Sequence, residues 1–203
     1  MIRGIKTRFV ASFFVGFLLA LLAMTAGAAA AEQVVVDFER GAVFSVGDKA
    51  NRFPEWVEKG VTFRLAHEPR ESKAKGLLMF FPHLSTGRKG IVCAMAAKPI
   101  PMQAIFPKPV SSVTVAMWGS TGVPAVLEAF DEDGKLVDRT SLASAPGRKS
   151  PGDPVPVFTM TVNAARIAYI EFSGPRPGEY LAADELRFTP IDEGTPKRDR
   201  AEP

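Results

Sequence analysis

Ala125-Val126-Leu127-Glu128-Ala129-Phe130-Asp131, then Glu132-Asp133-Gly134, then Lys135-Leu136-Val137-Asp138-Arg139, is the stretch whose reading decides the fold class. Two strand-like runs flank an Asp-Gly pair, and glycine tolerates the positive φ that a tight hairpin turn requires. Leu127 and Ala129 alternate with Glu128, which predicts one buried and one outward face. Outward from this hairpin the pattern repeats. Val34, Val36 and Phe38 alternate with Val35, Asp37 and Glu39, and Val61, Phe63 and Leu65 with Thr62 and Arg64. Leu77 to Phe81 and Ile91 to Met95 are short apolar runs suited to strands buried on both faces. Met102 to Phe106 and Val110 to Trp118 read as separate strands, divided by Pro107 and Pro109, which cannot donate to a central ladder. Val157 to Val162, Ala168 to Ser173 and Ala183 to Thr189 close the series. About ten short strands, with turn residues roughly every 8–12 positions, predict an all-β chain folded as an antiparallel sandwich or barrel. Ser141 to Pro156 holds four prolines and two glycines and is predicted to be a long surface loop.

Several pieces, taken in order, carry a family resemblance. They are Val36-Asp37-Phe38-Glu39, Gly60-Val61-Thr62-Phe63, Pro109 to Val115, Ala129 to Val137, Ile167 to Phe172 and Ala183-Asp184-Glu185-Leu186-Arg187-Phe188. Across most of residues 33–190 the chain resembles the galactose-binding-like jelly-roll domains, which include many carbohydrate-binding modules. The resemblance implies a two-sheet jelly-roll β-sandwich with a non-catalytic binding role. It also implies a structural calcium near the junction of the first and last strands. Glu39 and Asp184 match the carboxylate positions, with Asp184-Glu185 where the family has a pair of aspartates. A hard dication there would take oxygen ligands from both chain ends and from backbone carbonyls.

The first 31 residues have the layout of a cleaved secretory signal peptide. Arg3, Lys6 and Arg8 precede an apolar run from Phe9 to Met24, and Thr25 to Ala31 is a small-residue exit. The run is shorter than the roughly 20 residues of a spanning helix. The expected organisation is therefore a signal peptide at 1–31, a sandwich domain at 32–190 and a disordered tail at 191–203. The expected destination is the periplasm or the medium, with no membrane anchor after cleavage. The leader holds three of the chain's 25 basic residues and none of its 22 acidic ones, so the remainder carries 22 of each. A chain without net charge lacks the field of a phosphate-backbone binder, which argues against nucleic acid. Cys93 is the single cysteine, so no internal disulfide forms; in Ile91-Val92-Cys93-Ala94-Met95 it reads as a small core residue.

Catalytic signatures are sparse. The two histidines, His67 and His83, fall in loop-like context near prolines and read as surface residues; no Gly-x-Ser-x-Gly elbow and no Cys/His cluster is present. Glu128 and Glu171 each lie mid-strand, as outward polar positions or, on the rival reading, as an acid/base pair of a glycan hydrolase. For sugar binding, an exposed aromatic plane that stacks on a pyranose is the useful feature. Trp56 in its loop is the first candidate, Trp118 at a strand end the second and Tyr180 the third. The loop Pro82 to Gly90 offers polar donors. The leading function is an exported module that binds carbohydrate or a cell-surface component. The alternative is a protein-binding assembly or matrix role, through an exposed sheet face or the 141–156 loop.

Overall fold

The computed structural model describes residues 32–42, 52–67, 77–83, 85–94, 100–119, 122–150, 152–173 and 181–191. The expected leader, most of the expected tail and Tyr180 lie outside these residues. Ten strands and no helix are present among them: β1 (Val34–Val36), β2 (Glu55–Glu58), β3 (Val61–Leu65), β4 (Leu77–Pro82), β5 (Lys89–Ala94), β6 (Met102–Gly119), β7 (Ala125–Phe130), β8 (Leu136–Leu142), β9 (Phe158–Ser173) and β10 (Leu181–Pro190). Every pairing is antiparallel, in the order β4-β5-β10-β6-β9-β7-β8, with β1 on β10, β3 on β6 and β2 on β3. An all-β antiparallel arrangement of this kind fits a β-sandwich.

The hairpin forms as its sequence predicts. Gly134 takes φ 76° in the turn, and Asp131 Oδ1 accepts the amides of Asp133 and Lys135 at 3.1 and 2.9 Å. Two expectations about strand limits are corrected. The runs on either side of Pro107 and Pro109 are one 18-residue strand, β6. The prolines fall where β6 has no registered partner on β9, between Ile105 and Val110, so no ladder bond is lost to their missing N–H. The last two runs before β10 likewise merge into β9, with Ala164 to Arg166 bulged between the pairs Asn163–Ser112 and Ile167–Val110.

Each long strand therefore has two sets of neighbours. The first part of β6 pairs with β3 and with the end of β9, which in turn pairs with β7. The later part pairs with β10 and with the start of β9. Inward residues from both parts meet in one core containing Phe63, Ala104, Ile170, Leu127, Val115, Met160 and Leu186. Trp56, expected in a loop, sits on β2, where it pairs with Phe63.

β1 ends at an aromatic cluster. Phe38 adopts φ 59°, an uncommon backbone for a bulky residue, and its buried ring lies 5.1 Å from Phe63 and 6.5 Å from Phe80. Gly41 N–H then donates to Phe38 O at 3.2 Å, turning the chain across Phe80. A Cβ on Gly41 would lie 2.1 Å from the Phe80 ring, which is fully buried and has no room to yield. Gly41→Ala is expected to cost about 1–3 kcal/mol by overpacking, roughly 2–12 °C in Tm for a domain of this size. Thermal unfolding checks it, and an unchanged midpoint would contradict this packing.

Candidate functional site

The outward faces of five adjacent strands carry two parallel rows of side chains. Register alone defines the first: Arg64 on β3 pairs with Gln103 on β6, Gln103 with Glu171 on β9, Glu171 with Glu128 on β7, and Glu128 with Arg139 on β8. Arg64 Nε donates to Gln103 Oε1 at 3.0 Å, Gln103 Nε2 donates to Glu171 Oε1 at 3.2 Å, and Arg139 Nε lies 3.4 Å from Glu128 Oε1. The row thus runs cation, amide, two carboxylates, cation. Partial burial raises the Glu171 pKa, the Gln103 hydrogen bond opposes the rise, and the Glu128 charge adds to it.

Two residues along β3, β6, β9 and β7, and so on the same face, lies the second row, Thr62, Ile105, Tyr169 and Phe130; a register shift on β8 sets Leu136, three residues from Arg139, opposite Phe130. Phe130 and Tyr169 stack with centroids 4.8 Å apart and planes 9° from parallel. Beside them a depression of about 470 Å³ is lined by Arg64, Gln103, Ile105, Pro107, Glu132 and Tyr169, among others. Burial, then Glu171 and Asp131, raises the Tyr169 pKa, so its hydroxyl stays protonated and able to donate. Sequence reading placed Glu128 and Glu171 outward but passed over Phe130 and Tyr169. The signal was available, since residues two apart on a strand share a face.

The residues singled out from sequence fall elsewhere. Trp56 is half-buried, its ring 4.9 Å from Phe80 and 5.6 Å from Phe53, and its Nε1 donates to Glu58 Oε2 at 3.2 Å. Trp118 is 4% exposed, in a satellite core with Met79, Val92 and Ala182. His83, expected at the surface, is 2% exposed and meets Trp118 edge-on at 4.9 Å. Its ring ties two loops together. Nε2 donates to Val155 O at 3.0 Å, while Nδ1 accepts the amides of Ser85 and Thr86 at 3.3 and 3.1 Å. Residue 93 has no described side chain.

Glu39 and Asp184 lie close enough to influence each other electrostatically. Asp184 is the extra residue of a bulge on β10, between the pairs Ala183–Met117 and Glu185–Ala116, and is 3% exposed. Burial above all raises its pKa, and the Arg88 charge opposes that rise. Oδ1 is buried without a hydrogen-bond partner, which on its own would suit a metal ion. The rest of the donor set does not. Oδ2 faces Arg88 Nη1 at 3.5 Å, Glu39 Oε1 accepts the Lys89 amide at 3.1 Å, and no group of three His, Cys, Asp or Glu able to hold a metal exists among the described residues.

No family model and no curated protein matches the chain. Among solved structures it is similar to the carbohydrate-binding module TmCBM61 in complex with β-1,4-galactotriose, at TM-score 0.39 and 12% identity over 63% of this chain and 88% of that one. CsCBM6-3 from Clostridium stercorarium in complex with cellobiose matches at TM-score 0.34 and 17% identity, over 56% and 82%. The K1 cleaved adhesin domain of Lys-gingipain from Porphyromonas gingivalis W83 matches at 0.36 and 12%, over 79% and 99%. Two of the three are carbohydrate-binding modules, the class named by the resemblance. Likeness at this level carries no argument about a ligand, so the functional reading rests on the two rows themselves.

The raised Glu171 pKa has a definite sign. A carboxyl group whose folded-state pKa lies above the unfolded value stabilises the fold fully below the unfolded value and loses that contribution as pH climbs through the folded one. Glu171→Gln keeps the acceptor for Gln103 and removes a like charge opposite Glu128. Opposed like charges cost about 0.2–1 kcal/mol, so at pH 7 the variant should melt up to about 4 °C above wild type, with the gap closing below pH 4. A lower midpoint at neutral pH would refute the assignment.

Proposed function

We propose that this chain is an exported two-sheet jelly roll that binds carbohydrate, without chemistry, on the outer face of β3, β6, β9, β7 and β8. The observation that carries this reading is the Phe130–Tyr169 stack running beside the row Arg64-Gln103-Glu171-Glu128-Arg139. A pyranose presents an apolar C–H face and a rim of hydroxyls. Here an aromatic and aliphatic row lies about 6.7 Å, two residues of strand rise, from a row of charged donors and acceptors. The basic leader and its small-residue exit support export.

A broad apolar docking face finds less support. The large exposed hydrophobics among the described residues are Val57, Leu136 and Val157, on β2, on β8 and before β9, not one patch. Glycan hydrolysis keeps a specific observation in its favour, the direct pairing of Glu128 with Glu171. That pairing sets two carboxyl side chains next to each other on one face, the side-by-side arrangement a retaining pair needs. Against it, both carboxylates are already engaged, by Arg139 and Gln103.

A glycan array followed by titration calorimetry tests the binding reading. Tyr169→Ala and Gln103→Ala should each weaken the best glycan about tenfold, equivalent to some 1.4 kcal/mol, while leaving the midpoint of unfolding within a few degrees. Binding that persists in Tyr169→Ala, or a wild type that binds no glycan, would defeat it. Reducing-sugar release that Glu171→Gln abolishes would establish hydrolysis instead.

A further inference from the structure

Two adjacent basic residues take the place that the fold resemblance assigns to a metal. Lys89 opens β5 and Arg88 immediately precedes it, between the bulge of β10 and the turn that leaves β1. Arg88 reaches the bulge, with Nη1 3.5 Å from Asp184 Oδ2 and Nη2 3.4 Å from Glu185 Oε2. Lys89 reaches the turn, its amide donating to Glu39 Oε1 at 3.1 Å and its Nζ to Glu39 O at 2.6 Å. Glu185 is further held by Arg187. Meanwhile β1 lies directly on β10, through Val34–Phe188 and Val36–Leu186. Glu39, in the turn after β1, is thus held through its carboxylate by the Lys89 amide and through its carbonyl by the Lys89 ammonium, while the β10 carboxylates are held by the neighbouring Arg88 guanidinium.

We propose that Arg88 and Lys89 are this chain's built-in substitute for a calcium ion, so that the junction of β1 and β10 is locked without metal. Each cation binds the carboxylate or carbonyl oxygens of one chain end, and their adjacency at the start of β5 supplies the bridge. Removing the guanidinium strands a carboxylate that is 3% exposed. Losing one partner of a buried pair is the costly case, whereas neutralising both is nearly free. Arg88 itself is well exposed, so the penalty is smaller than for a fully buried pair.

Thermal unfolding in calcium and in chelator tests this on the intact chain. With calcium near 10 mM, above the roughly 10⁻³ M limit of weak extracellular sites, the wild-type midpoint should match that in chelator within about 1 °C. Arg88→Ala should melt several degrees lower, and Arg88→Ala/Asp184→Asn should recover most of the loss. Calcium should partly rescue Arg88→Ala, because Asp184 Oδ1 has no hydrogen-bond partner and Oδ2 then loses its guanidinium. A wild type that calcium stabilises overturns the proposal. So does Arg88→Ala at the wild-type midpoint, or a double variant no better than Arg88→Ala.

Discussion

The ladder between β6 and β9 is the constraint on which the rest of the structure depends. It joins Met102–Ile105 to Tyr169–Phe172 and Ser112–Met117 to Phe158–Asn163, and β10, β3 and β7 each pair onto one of these two strands. Because side chains alternate, the register of this ladder decides which residues meet in the core and which face outward. A slip of one residue would exchange Ala104 and Ile170 for Gln103 and Glu171. That would turn two polar side chains into the apolar core and two apolar ones out of it, so the core enforces the register and the register lays out the rows on the opposite face.

The outer rows are a by-product of that enforcement. Nothing in hydrophobic burial requires Gln103 to sit between Arg64 and Glu171, yet the shared register leaves these three in line at hydrogen-bond distance. The opposition of Glu128 and Glu171 is the row's weak point energetically, since like charges directly across a ladder repel. Arg139 offsets it on one side and Gln103 on the other. Arginines thus close the row at both ends.

Much of this architecture was legible in the sequence, and the failures have a common cause. The hairpin and strands β1 and β3 follow from period-two alternation and turn chemistry, and β4 and β5 from short apolar runs. Period-two reading assumes a constant phase, and the long strands change phase within themselves. On β6 the core positions are Met102, Ala104, Phe106 and Val110, then Val113, Val115 and Met117, even numbers giving way to odd across the register shift between Val110 and Ser112. Read locally, Pro107 and Pro109 look like a strand end; only the bulge shows that they interrupt pairing and not the strand. His83 shows the same limit from another side. Its burial comes from Trp118 and Val155, 35 and 72 residues away, and no local pattern announces it. Trp56 was misplaced because Glu55-Trp56-Val57-Glu58 is too short to show a period. Phe130 and Tyr169 were legible and missed, because attention went to loop aromatics and not to the strand face already inferred for Glu128 and Glu171.

The slips in register also account for where the unusual chemistry sits. A uniform ladder presents even rows with no hollow and no unpartnered group. Where β6 loses its registered partner on β9, between Ile105 and Val110, the surface sinks, and Pro107 lines the depression beside Tyr169. Where β10 inserts Asp184, a carboxylate turns inward out of sequence with its neighbours, and one oxygen is left without a hydrogen bond. Both features follow from extra residues that the ladder does not absorb, three on β6 and one on β10. The bulges therefore do two jobs with one device. They let long strands serve two sets of neighbours, and they place a concavity and a buried charge on a sheet that would otherwise offer neither.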